Sequence, residues 1–259
     1  MKPGALVVSI LCSVGAVTGV RGQAVPSHRG VFGSGATLRW GFGPTALRDD
    51  YISTGRYTGS LPSVYLEWAR FHERSGFRLT MDLARSADVR DHGVATEVTE
   101  FSLDADFLYP AGSIRIGSRR AFLFLGPSAG ISMLVNDQQI ASQGLEVALS
   151  FVTQISLGLS GNAVLPISDR LQAVGSLRTT LASACLRMVD LMDDDEESPF
   201  RLLGPFGANR LVVSLGVGYR ALDWLVLGLG YEQRYLRVTA WDRLVSSRDH
   251  LTLAFTVDR

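Results

Sequence analysis

Two aspartates, Asp104 and Asp106, stand two residues apart in the stretch "FSLDADF", between apolar residues Phe101, Leu103, Ala105 and Phe107. Paired carboxylates do general acid and base chemistry when their surroundings separate their proton affinities. Facing arginines, they make ion pairs instead. The four histidines, His28, His72, His92 and His250, are the other groups suited to proton transfer near neutral pH. His92 follows Asp88 and Asp91, and His250 follows Asp249, so an Asp–His–acid group is a candidate catalytic arrangement. No motif fixes their separation, and the sequence assigns no catalytic residue, metal ligand or cofactor.

The remaining chemical features read as structural. The acidic run "DLMDDDEESPF", with Asp190, Asp193, Asp194, Asp195, Glu196 and Glu197, is a solvated loop in this reading. It lacks the Asp-x-Asp-x-Asp-Gly spacing of a calcium loop, which leaves only a weak divalent-cation site as its sharper use. "GVGY" and "GLGY" each lie within a strand pattern and open no helix, which argues against a phosphate loop. Cys185 has no histidine placed to activate it and is expected to be inert.

The elements that hold these residues follow from a period of two, the signature of strands with unlike faces. "FRLTMDLA" sets Phe77, Leu79, Met81 and Leu83 against Arg78, Thr80 and Asp82. "RLVVSLGVGYR" sets Leu211, Val213, Leu215 and Val217 against Arg210, Ser214, Gly216 and Gly218. Ten strands are predicted, near 31–42, 62–72, 76–87, 98–109, 120–135, 146–162, 170–186, 209–221, 224–238 and 248–258. Helical spacing also runs through 62–72 and 170–186; losing both would leave eight strands. Short links such as "HERSG", "LPISDR" and "ALDW" fall at one end, and longer, polar links at the other.

Which face meets water follows from composition. The polar face is crowded with glycine and serine, as at Gly126, Ser128, Gly130 and Ser132, and Lys2 is the only lysine in 259 residues. A water-facing strand surface made of glycine loses stability without return, whereas a narrow lumen benefits from small side chains. The apolar face therefore turns outward and the polar face inward. On that register Glu67, Asp82, Asp104, Asp106 and Glu232 share the lumen with Arg39, Arg78, Arg178, Arg210 and Arg234. An ion-pair network is expected there, because an unpaired buried ion costs several kcal/mol.

Residues 1–24 read as a cleavable export signal: Lys2, an apolar run from Ala5 to Val20, then small residues up to Ala24. Residues 25–259 then form one domain, and Cys12 is lost with the signal. Basic and acidic residues balance at 25 each, which gives no electrostatic reason to expect nucleic acid.

The signal, the alternating strands and the closing "LTLAFTV", with Leu251, Leu253, Phe255 and Val257 on one face, together resemble bacterial outer-membrane β-barrel proteins. Aromatics support this in two sets, one near the short turns (Trp68, Phe77, Phe107, Tyr109, Tyr219, Trp224, Phe255) and one toward the long links (Trp40, Phe42, Phe101, Tyr231, Tyr235). Many members of that class end on an aromatic residue; this chain continues through Asp258 to Arg259. The resemblance implies an all-β fold, an antiparallel up-and-down transmembrane β-barrel of ten strands (alternatively eight) with a polar lumen. It implies an outer membrane of Gram-negative type and contact with outer-membrane lipid. Lipopolysaccharide or an extracellular partner would meet loops 43–61, 88–97, 136–145, 187–208 and 239–247.

No particular activity follows from an architecture. The expected role is non-enzymatic, in envelope structure or surface binding. Some barrels of the class are proteases or modify lipids at the outer rim, so a rim-sited hydrolase at His92 and His250 stays open. A narrow pore for small solutes and a secreted soluble barrel carrying an apolar ligand stay open too.

Overall fold

The computed structural model describes residues 35–50, 53–71, 75–91, 94–138, 148–189, 200–239, 241 and 243–258. The expected export signal, the acidic run, and His28, His72 and His92 lie outside them. The described chain is strand and turn, without helix. Its segments are β1 (Gly35–Phe42), β2 (Pro44–Asp49), β3 (Ser53–Ser60), β4 (Ser63–Phe71), β5 (Gly76–Asp91), β6 (Val94–Ile116) and β7 (Arg119–Gln138). They continue with β8 (Ala148–Pro166), β9 (Leu171–Val189), β10 (Phe200–Leu203), β11 (Ala208–Leu222), β12 (Leu225–Val238) and β13 (Leu244–Asp258).

Three pairs of segments act as single staves. β1 and β2 both pair with β13 in one continuous register, from Gly35 opposite Asp258 to Asp49 opposite Leu244. Between them sits Gly43, where an added side chain would collide with the Asp249 carbonyl. Glycine there lets neighbouring backbones touch while the stave runs on. β3 and β4 pair with β2 and β1 in the same way, and β10 and β11 line one edge of β9. Ten staves result, all antiparallel, closed by the pairings of β1 with β13 and β4. Both stretches with helical spacing, in β4 and β9, are strands.

The outer links differ from expectation. β2 and β3 occupy most of 43–61, and β5 and β6 extend to Asp91 and from Val94. β7 reaches Gln138, β9 reaches Val189, β10 covers part of 187–208, and β13 begins at Leu244. Polar residues end the apolar belt but not the backbone pairing, since each N–H and C=O is still best satisfied by its neighbour. The barrel therefore projects as hairpins beyond its belt. At the other end "PAGSIRIGSR" is likewise the tip of the β6–β7 hairpin, turning at Gly117 with φ of +61°.

The faces sort as the composition implied. Leu103, Leu157 and Leu215 point outward with 36, 63 and 61% of their surface exposed, while Asp104 and Asp106 are buried inside. Near the short turns Phe77 stacks between Phe107 and Trp68, at centroid distances of 5.0 and 5.8 Å. The two aromatic sets are not cleanly separated, however. Trp40, expected toward the long links, meets Phe255 of the other set edge-on at 5.7 Å.

Inside, the barrel has two levels. Toward the outer hairpins an apolar plug fills it, built from Leu47, Tyr57, Val98, Leu134, Val152 and Leu244 among others, with Leu203, Leu236 and Trp241 against it. Cys185 is buried in this plug, which is the inert packing expected of it. Below the plug the lumen is polar.

Candidate functional site

The polar waist of the lumen collects the charged residues that the alternation of each strand turns inward. They form two chains of alternating sign that strap one wall to another. The first runs Arg78–Asp106–Arg178–Asp104–Arg210, joining β5, β6, β9 and β11. Arg178 clamps both aspartates: its Nε and Nη2 donate to Asp106 at 2.9 and 2.6 Å, and its Nη1 to Asp104 at 2.9 Å. Arg210 donates both terminal nitrogens to Asp104, at 2.6 and 2.9 Å. Arg78 reaches Asp106 at 2.8 Å and spends its other nitrogens on Asn162 and Ser160, both at 3.2 Å.

The second chain runs Glu67–Arg39–Glu232–Arg234–Asp82–Arg248–Glu100. Arg234 donates to Glu232 at 2.5 Å, to Asp82 at 2.8 Å and to Ser102 at 3.0 Å. The Tyr65 ring lies between two guanidiniums, 5.0 Å from Arg234 and 5.1 Å from Arg39. Such cation–π contacts strengthen when desolvated.

Three arginines and two aspartates give the first chain one excess positive charge. Three arginines and four carboxylates give the second one excess negative charge. The two chains cancel, so the waist carries no net charge. A further pair, Arg187 with Asp49 at 2.5 Å, sits beside the plug.

All ten inward charges named from the sequence lie in these two chains. Two members of the chains, Glu100 and Arg248, were not predicted, nor was the separate pair of Asp49 and Arg187. Glu100 shares the face of Ser102, Asp104 and Asp106, and Arg248 that of His250 and Thr252, so carrying the alternation two residues further finds both. Asp49 would follow from Arg39 had the stave been read through Gly43. Arg187 carries no such signal. A bulge opposite Leu157 and Gly158 places both Leu181 and Ala182 outward and shifts the inward face from Arg178 and Thr180 to Ser183, Cys185 and Arg187.

The candidate rim histidine group is corrected by the geometry. His250 does not open its strand at a rim; β13 begins at Leu244 and carries the His250 side chain into the lumen, 1% exposed. Its Nδ1 lies 2.9 Å from Ser63 Oγ and 3.1 Å from Tyr65 Oη. Asp249, its chain neighbour, faces the other way and accepts from Tyr231 at 2.5 Å. Strand alternation separates adjacent residues, so Asp249 and His250 cannot form one group.

Below the waist the lumen opens into a vestibule of about 220 Å³ at the short-turn end. "GVGY" and "GLGY" form part of its wall: Gly216 pairs with Gly230 and Gly218 with Gly228, all inward. The nearest atoms that a side chain added at Gly216 or Gly218 would meet belong to neighbouring staves. Two smaller cavities lie further in, of about 30 Å³ against Arg248 and about 10 Å³ against Asp104. A water molecule needs about 10–15 Å³, so the smaller one has room for a single water at most.

No family model matches the chain, and no curated protein matches it. Among solved structures it is similar to the outer membrane protease OmpT from Escherichia coli, at a TM-score of 0.50 and 7% identity, covering 92% of this chain and 99% of that one. It is also similar to the translocator domain of the autotransporter NalP from Neisseria meningitidis (TM-score 0.42, 13% identity, 88% and 90% covered). A third is the attachment invasion locus protein Ail of Yersinia pestis (TM-score 0.34, 10% identity, 87% and 99% covered). At such identities the likeness is one of fold: the chain has the closed antiparallel barrel of bacterial outer-membrane proteins, and no specific family is indicated.

Proposed function

We propose that this protein is a non-conducting, non-enzymatic outer-membrane barrel that serves as a rigid envelope component and presents its outer hairpins to the surroundings. Residues 1–24 would direct export and be removed, leaving 25–259 as the membrane domain. The observation that carries this reading is the double seal of the lumen. Two cross-braced chains of ion pairs fill the waist, and an apolar plug lies over them. A conduction path needs a continuous wet route with a charge lining of one sign; here the signs alternate from wall to wall.

The same seal weighs against a hydrolase centred on His250. That imidazole contacts a serine and a tyrosine, but it is buried, and a catalytic base must come within hydrogen-bond reach of a substrate proton. The outer hairpins remain the surface for lipopolysaccharide or another extracellular partner, and the apolar belt the surface for lipid. Purified protein reconstituted into planar bilayers is expected to show no steady single-channel conductance. Sustained ohmic steps from the wild-type chain would overturn the sealed reading.

A further inference from the structure

The apolar belt is lopsided. On β13 it runs from Val257 to Leu251, about 15 Å along the barrel axis at roughly 3.3 Å per residue and about 40° of strand tilt, and then meets Asp249. On β8 the outward residues from Leu165 to Leu149 include no charge, and the same arithmetic gives about 40 Å. The apolar band of such barrels is about 25 Å tall. Lipid can cover one face of this barrel and leaves roughly 15 Å of the other uncovered.

The excess lies partly at the level of the plug, as the outward neighbours of plug residues show. Beside Tyr57, Ala84, Val238 and Leu244 stand Arg56, Arg85, Arg237 and Arg243, all exposed. Beside Val152, Cys185 and Leu203 stand Phe151, Leu186 and Leu202. Leu202 is 77% exposed, Phe206 just beyond it 92%, and Met188 58%. One side of the collar is therefore built for water, and the β8–β10 side is not.

We infer that the β8–β10 face docks a second copy of this chain, an inference that rests on the membrane-spanning reading. Two copies inserted in the same direction are related by a twofold axis along the membrane normal. That symmetry brings each height of the stripe against the same height of its partner. The overlong upper part, which hydrocarbon cannot reach, then covers itself. The stripe also continues the lipid-facing belt without a charged break on β8, Thr153 being the one polar residue between Phe151 and Ile155, so one continuous face serves the buried and the protruding parts of the contact. Contiguous exposed apolar surface of this kind marks interaction sites.

The test uses the full chain in its native membrane and after purification. Cys185 is buried, so cysteines introduced at Leu202 (L202C) or Ser247 (S247C) can be addressed selectively. L202C is expected to give a self-crosslinked dimer under mild oxidation, and S247C on the charged side none. Sedimentation of purified wild type should show a dimer. The double variant L202E/F206S should weaken it at least tenfold while keeping heat-modifiable migration on gels, which reports an intact barrel. A monomeric wild type, a crosslink from L202C to a different protein, or quenching of a fluorophore at that cysteine by brominated lipid would each overturn the proposal. Loss of heat-modifiability and of membrane fractionation in the wild type itself would instead sink the membrane reading on which it stands.

Discussion

The waist and the plug close the same lumen by opposite means. The plug excludes water with side chains that have nothing to lose by dehydration, so its stability grows with the apolar area buried. The waist excludes water with charged groups whose dehydration is costly, and it tolerates this because they are paired, Asp104 and Asp106 at its centre with two arginines each. A damaged plug loses contacts in proportion to the atoms removed. A damaged waist leaves a charge behind. The two levels should therefore fail differently.

The largest effect is expected from Asp104→Ala. It leaves Arg210 and one arm of Arg178 without a carboxylate in a buried setting, at a cost of about 3–5 kcal/mol. Urea titration of the protein in lipid vesicles would measure it; a loss under 1 kcal/mol would mean that water already reaches the waist. Next comes Leu134→Ala in the plug, buried to 1% exposure, expected to cost about 2–4 kcal/mol. Its value should follow the cavity formed rather than salt concentration.

Arg39→Gln should cost less, about 1 kcal/mol. Arg39 makes the longest pairs of the network, 3.3 Å to Glu67 and 3.6 Å to Glu232, and it borders the open vestibule. Arg85→Ala removes an exposed pair with Glu97 outside the barrel and should leave the unfolding midpoint unchanged. Conductance sharpens the comparison further. Neither Asp104→Ala nor Leu134→Ala alone should open a channel, because each leaves the other seal intact. Steady current through either single variant would show that one level does the closing unaided.

The outward stripe and the collar show how far the pattern of a single strand can be trusted. Period-two alternation is a property of the extended backbone, so it survives in any strand that stays regular. Asp104, Asp106, Glu232 and Arg234 are legible on that ground, and so are the ten staves. Arg187 is not, because the bulge beside Leu181 reverses the faces and nothing in "RTTLASACLRM" announces it. The sequence puts His250 at a rim because the strand pattern starts near 248, with Asp249 as its charged end. In the barrel that aspartate is simply the outward residue of a strand already six residues long.

What the amino-acid order determined by itself is the sign of each face. Apolar and polar residues alternate, glycine and serine mark the crowded side, and charges on that side must find partners; these are local facts. What only the tertiary structure decided is who meets whom. The pairing of Arg178 with two aspartates from β6, the cancellation of charge between two straps, and the apolar plug arise from curvature that brings distant staves within a side chain's reach. Closure of a sheet is a long-range condition, and no single strand contains it.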